Sequence, residues 1–145
     1  MRTSSVPTSP ASVRTMSTGF DLQSVAELRA KPHLLDSGAL FTAGERAHCR
    51  SRPDPWASLA GLFSAKEAFV KALSSLIGAP DHTFPEVEVV HGPAGQPRIR
   101  LHGAIARWQR QQCLAMEVSI SHTGDMAGAV VVLLAEPTRR GGQAP

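Results

Sequence analysis

Glu67 lies in the run Phe63-Ser64-Ala65-Lys66-Glu67-Ala68-Phe69-Val70-Lys71, which sets a carboxylate and two lysines among apolar residues. Two other segments could share chemistry with it. Gly19-Phe20-Asp21 places an acid on a short extended run, and Val118-Ser119-Ile120-Ser121-His122-Thr123-Gly124 alternates before a polar turn. Mg²⁺ takes oxygen ligands, usually one or two carboxylates together with substrate phosphates. Asp21 and Glu67 could supply such a pair. The hydroxyls of Ser121 and Thr123 and the His122 imidazole could hold a phosphate, with Gly124 permitting a tight turn. Each signal also has an ordinary reading. An Asp after a strand often forms a turn or caps a helix, and Glu67 with Lys71 is an i, i+4 pair common on helix surfaces. Yet Glu67 stands four residues from Phe63 and seven from Ala60, on the stripe the helix should pack. A carboxylate there needs a partner or a metal. No Walker A loop, Rossmann glycine fingerprint or catalytic triad is present.

Residues 17–22 predict a strand and 23–30 a short helix that stops before Pro32. Thr42 and Glu45 have the spacing of a capping box, with Phe41 placed for a hydrophobic staple, so a helix through Arg46 and Cys49 should follow. Pro53-Asp54-Pro55 should close it. From Trp56 the apolar residues Leu59, Ala60, Phe63, Val70, Leu73 and Ile77 keep helical spacing until Gly78-Ala79-Pro80. This predicts the longest helix and the centre of the fold. Residues 86–90 and 98–101 alternate around Gly92-Pro93-Ala94-Gly95 and predict a hairpin. Residues 102–114 read as a helix. Residues 115–121 and 126–134 read as strands joined by a 122–125 turn, the later strand apolar throughout like a buried central one. Helices and antiparallel hairpins without βαβ alternation predict an α+β fold, an antiparallel sheet with helices packed on it.

With 145 residues the chain suits one domain, assigned to residues 18–136, between disordered tails at 1–17 and 137–145 rich in Ser, Thr, Pro and Gly. The pI near 9.4 invites a nucleic-acid reading. Four of the fifteen basic residues, Arg2, Arg14, Arg139 and Arg140, fall in the tails, leaving eleven against twelve acids in the body. The basicity therefore belongs to the tails and makes no case for nucleic acid. No run approaches the roughly 20 apolar residues of a membrane span, and the first residues lack the apolar core of a secretory signal; a cytoplasmic protein is expected. The two cysteines, Cys49 and Cys113, fit no zinc or disulfide pattern and read as buried thiols.

The three chemical segments in this order resemble the phosphopantetheinyl transferases, specifically the small holo-acyl-carrier-protein synthase type. That family is marked by Gly-x-Asp near the N-terminus, a Lys-Glu-Ala-x-x-Lys helix and a Ser-x-Ser-His segment near the C-terminus. Here these are Gly19-Phe20-Asp21, Lys66-Glu67-Ala68-Phe69-Val70-Lys71 and Ser119-Ile120-Ser121-His122. Leu40-Phe41-Thr42 with Glu45, Leu59-Ala60-Gly61 and Gly95-Gln96-Pro97 extend the resemblance across residues 18–135. There are departures. Leu62-Phe63 stands where the family often has Arg-Phe, Ser74-Ser75-Leu76 replaces a Gly-Thr-Gly turn, and Glu27 replaces an Arg, with Arg29 two residues on.

The resemblance implies transfer of 4′-phosphopantetheine from coenzyme A to a serine of an apo acyl or peptidyl carrier protein, releasing adenosine 3′,5′-bisphosphate. Carriers of fatty-acid, polyketide or peptide synthesis are all compatible. It implies Asp21 and Glu67 as Mg²⁺ ligands, Glu67 and Lys71 as catalytic residues, and Lys71 on the coenzyme A pyrophosphate. Lys66 is a weaker candidate for the same phosphates, because its position on a helix points it about 100° from Glu67. His122, with Ser121 and Thr123, would hold a phosphate at the nucleotide end. The group that accepts the serine proton is Glu67 or a metal-bound hydroxide. A homotrimer with coenzyme A between subunits is implied, and Arg29 with Lys31, or Arg46, Arg50 and Arg52, could meet an acidic carrier. The alternatives are a degenerate, non-catalytic module that binds the carrier or coenzyme A, and a Mg²⁺-dependent nucleotide hydrolase.

Overall fold

Asp54 and Pro55, expected to close one helix, open another. In the computed structural model, which describes residues 14–135, the Asp54 carboxylate accepts from the Trp56 and Ala57 amides, and Pro55 occupies the first turn. Proline is preorganised there and loses no needed donor. The helix they start, α3 (Pro55–Leu73), is the long one. It is buried nearly all round, by Leu59, Leu62, Ala65, Ala68, Phe69 and Ala72, as a helix apolar on most faces must be. It ends at Ser74, earlier than expected, and Ile77, read as part of its stripe, is 99% exposed.

Before α3 come β1 (Thr15–Ser24), α1 (Val25–Arg29), a 3₁₀ turn (Pro32–Asp36) and α2 (Ala43–Arg50). β1 starts two residues before the expected strand and continues through Gln23 and Ser24, which had been read as helical. Otherwise the proposed tails fall outside the described residues. The capping box forms: Glu45 N–H donates to Thr42 Oγ1 and Thr42 N–H to Glu45 Oε1. The staple does not, because its helical partner position is Arg46; Phe41 goes instead into the main core, 6.3 Å from the Phe63 ring.

After α3 come β2 (Val87–His91), β3 (Pro97–Leu101), α4 (Gly103–Gln111), β4 (Leu114–Thr123) and β5 (Met126–Ala135). β2 and β3 form the expected hairpin, and β1, β5 and β4 form an antiparallel sheet with β5 in the centre. The architecture is α+β, helices packed on antiparallel sheets. The β4–β5 loop is only Gly124-Asp125, with Gly124 at φ 52°, so His122 and Thr123 belong to the strand rather than to a turn. β5 is central yet not covered on both faces: Ala127, Ala129, Val131 and Leu133 are buried, whereas Met126 and Val130 are exposed. Of the two cysteines Cys49 is buried, while Cys113 is exposed in a left-handed turn at φ 48°. Burial, then the Glu45 charge, push the Cys49 thiol up to about 12, which leaves it unreactive.

Candidate active site

The position of Asp21 is set by a glycine two residues before it. A Cβ on Gly19 would lie 1.8 Å from the Ala68 carbonyl oxygen and 2.7 Å from the Ala72 amide, so β1 crosses α3 backbone to backbone. Alternation along the strand then turns Asp21 toward the same helix, beside Glu67 and Lys71. Lys71 Nζ donates to Asp21 Oδ1 at 3.0 Å and to the Phe20 carbonyl at 3.0 Å, and Gln23 Nε2 donates to Asp21 Oδ2 at 2.8 Å. The ordinary reading, an i, i+4 pair of Glu67 with Lys71, gives way to a bridge from helix to strand. Among the described residues no donor hydrogen-bonds the half-buried Glu67 carboxylate. Burial first, and the Asp21 charge second, push its carboxyl above the ordinary carboxylate range, with Lys71 opposing them.

Two carboxylates that repel one another, with a single ammonium to offset them, suit a divalent cation. The donor set is all oxygen, as Mg²⁺ prefers. Among the described residues no three acidic, histidine or cysteine side chains gather into a ready-made metal cage. A metal bound here would complete its shell from water and substrate.

Lys66 is not part of this surface, and the expectation that it binds phosphate is corrected. Its ammonium is wholly buried, 2.8 Å from Glu45 Oε1, and donates to the carbonyls of Phe84 (2.9 Å) and Val87 (2.7 Å). Glu45 Oε2 in turn accepts from the Val89 amide. Three donors with three acceptors leave nothing for a ligand. Burial holds the Lys66 pKa below the ordinary lysine value, against the Glu45 charge.

A second glycine positions the histidine. A Cβ on Gly61 would lie 2.9 Å from both His122 Nε2 and Ile120 Cγ2, so the end of β4 lies directly on α3. His122 Nε2 is 2.9 Å from the Ala57 carbonyl, to which it can only donate. The ring can therefore offer a second donor, at Nδ1, only when protonated. Gly61 and Glu67 are six residues apart on one helix, a rise of about 9 Å. Across the sheet Asp21 and Ile120 both pair with Ala129. His122 and the acid pair thus share one face without touching, as ends of a site for an extended ligand.

Ser121 and Thr123 are separated from His122 by the same alternation. With Ser119 they border a pocket of about 200 Å³ beside Phe20, Leu22, Met126 and Val130 of the exposed sheet face, whose lining also includes His122. Grouping the three as one turn missed this, because β4 runs on through Thr123. Of the basic residues considered for a carrier, Arg29 is paired with Asp54 at 3.1 Å and Arg50 with Asp36. Arg52 instead lines a pocket of about 220 Å³ beside His122, together with His48 and His91. Sequence reading missed that group; the three histidines are far apart in the chain and follow no ligand spacing.

The model of the 4′-phosphopantetheinyl transferase superfamily matches residues 17–127. A holo-[acyl-carrier-protein] synthase of Nocardia farcinica is 37% identical over 124 residues, covering 79% of this chain and 84% of that protein. One from Chlorobaculum parvum is 38% identical over 129 residues, covering 84% and 99%. A solved ACPS–CoA complex from Chronobacterium ammoniagenes superposes with a TM-score of 0.72 at 31% identity, covering 84% of this chain and 98% of that one. The match spans all three chemical segments and ends at the start of β5, and on it the chain belongs to the 4′-phosphopantetheinyl transferase superfamily, as an enzyme of the holo-[acyl-carrier-protein] synthase type.

Proposed function

We propose that the enzyme transfers 4′-phosphopantetheine from coenzyme A to a serine hydroxyl of an apo acyl or peptidyl carrier protein, with Mg²⁺, releasing adenosine 3′,5′-bisphosphate. The observation that carries this reading is the Asp21–Lys71–Glu67 arrangement, an acid pair and a cation on one open face. The similar Chronobacterium protein, solved as a CoA complex, supports the donor, and the names of the similar synthases support an acyl carrier as acceptor.

Asp21 and Glu67 would hold the Mg²⁺. When bound, the ion neutralises charge on the diphosphate and stabilises the leaving phosphate. Lys71 exchanges its bond to Asp21 for one to a diphosphate oxygen, in a reaction driven mainly by positioning and charge neutralisation. The serine oxygen forms its bond to the phosphorus on the pantetheine side, and the bond to the bridging oxygen breaks. That oxygen leaves on the adenosine bisphosphate. The serine proton goes to Glu67 or to a hydroxide. His122 holds a phosphate at the far end. The nucleophile belongs to the carrier, so this chain needs no activated serine or cysteine of its own.

The reading extends to assembly as a homotrimer. Met16, Phe20, Leu22, Met126 and Val130 are exposed. Apolar surface gathered in this way favours cover by another chain, and Ser121 and Thr123 would border the resulting cleft. No described helix is long and apolar enough to cross a membrane; a cytoplasmic setting and partners other than nucleic acid complete the proposal. The test is to incubate the protein with coenzyme A, Mg²⁺ and apo carriers from fatty-acid, polyketide and peptide systems. Adenosine 3′,5′-bisphosphate and modified carrier should appear in equal amounts. Bisphosphate released without a carrier would show a hydrolase instead.

A further inference from the structure

His48, near the end of α2, and His91, the last residue of β2, lie with ring centroids 3.8 Å apart and planes 8° from parallel. Nothing in the reaction described above uses this pair. Both rings open on the pocket of about 220 Å³ that also receives Arg52 and His122. Among the described residues, the charged or titratable groups that line it are these four. α3 contributes Ser58, Gly61 and Leu62, and the β2–β3 hairpin contributes Gly95 and Pro97, so among the described residues no carboxylate lines the pocket to offset the cations. Such a pocket favours an anion. Its affinity depends on how many of the imidazoles are charged when the anion arrives.

We propose that this pocket is a proton-coupled site for a phosphate monoester, in which the ligand draws protons onto the stacked His48–His91 pair and binds more tightly as pH falls. Arg52 supplies the fixed charge. In the free protein burial holds His48 below the ordinary histidine range, with Arg52 adding to the effect. Burial, then His48 and Arg52, do the same to His91. Both rings are therefore mainly neutral at neutral pH, and a dianion beside them reverses the electrostatic balance. His122 contributes by geometry alone: with Nε2 donating to the Ala57 carbonyl, Nδ1 is the ring nitrogen left for the ligand. The ligand on the proposed function is the 3′-phosphate of coenzyme A, so the inference rests on that reading and adds a regulation to it: donor capture that strengthens on acidification.

Calorimetric titration of coenzyme A, from pH 6 to 8 in buffers of differing ionisation enthalpy, counts the protons taken up. Each one changes affinity by about tenfold per pH unit at most. The native protein should take up protons on binding coenzyme A, and His48→Gln/His91→Gln should take up fewer. The affinity gap between them should widen as pH falls. The second ionisation of the phosphate, near pH 6, is common to both proteins and cancels. Dephospho-coenzyme A should show no such gap. If the double variant does not fold, His48→Gln alone carries the comparison, with a smaller gap of the same sign. A gap constant across pH, or one that persists with the dephospho donor, overturns the proposal. Carrier modification is scored separately. Transfer with no proton coupling defeats this inference and leaves the function intact, whereas coupling without transfer does the reverse.

Discussion

Lys71 and His122 lie at opposite ends of the face proposed to receive coenzyme A, and their substitutions should separate chemistry from binding. A contact equally strong in ground and transition states sets KM, whereas one that strengthens in the transition state sets kcat. Lys71→Ala should therefore lower kcat with little change in KM. His122→Ala should raise KM for coenzyme A and leave kcat nearly unchanged, and its effect should shrink with the dephospho donor. An equal penalty with both donors would place the partner of His122 elsewhere. Glu67 allows a test that needs no substrate. Its carboxyl pKa is raised by burial and by Asp21, so the folded state holds that proton more tightly than the unfolded chain. Stability then falls as pH rises from the ordinary carboxylate value through the raised one, and levels off above it. Glu67→Gln lacks this loss. Its thermal midpoint should improve relative to the native protein across that window, and a constant difference would contradict the account. That Asp21, Glu67 and Lys71 belong together was suggested in the sequence by the three family motifs rather than by their types alone, and the structure does make them neighbours. Which of them pair was not legible, since a helix pair and a helix–strand bridge differ only in tertiary placement.

At the scale of elements, the Glu45–Lys66 pair joins α2, α3 and β2 inside the core. Capping-box spacing revealed one role of Glu45, the local one. Its burial against a lysine of another helix leaves no periodic trace, so Lys66 read as a surface residue of the phosphate site. Removing one partner of a buried pair typically costs about 3–5 kcal/mol, because the other charge is left uncompensated. Lys66→Ala should show a loss of that order in urea denaturation at neutral pH. Unchanged stability with weakened coenzyme A binding would return Lys66 to the site. The same limit explains the Ser121-His122-Thr123 segment. Polar residues before Gly124 read as a turn, but β5 offers partners as far as Met126, and β4 stays extended through Thr123. Once the segment is strand, alternation puts His122 on one face and Ser121 and Thr123 on the other.

The whole molecule presents one sheet face to α3 and the other outward. Phe20, paired with Val130, is 55% exposed, and Val130 itself 40%. The apolar run of β5 reads in the sequence as a strand buried on both faces, whereas Met126 and Val130 are exposed, so the cover for that face is not within this chain's described residues. Val130→Asp should shift sedimentation from a trimer toward the monomer while leaving α3 and its contacts in place; a monomeric native protein would contradict the assembly.

The central claim is that Asp21, Glu67 and Lys71 carry phosphopantetheine transfer. Intact-mass measurement of an apo carrier, after incubation with coenzyme A and saturating Mg²⁺, tests it most directly. The native enzyme should add one phosphopantetheinyl group to the carrier. Glu67→Gln, which keeps the shape and loses the charge, should leave the carrier at its apo mass over the same time. Near-native modification by Glu67→Gln would make Glu67 a helix-surface residue and contradict the site.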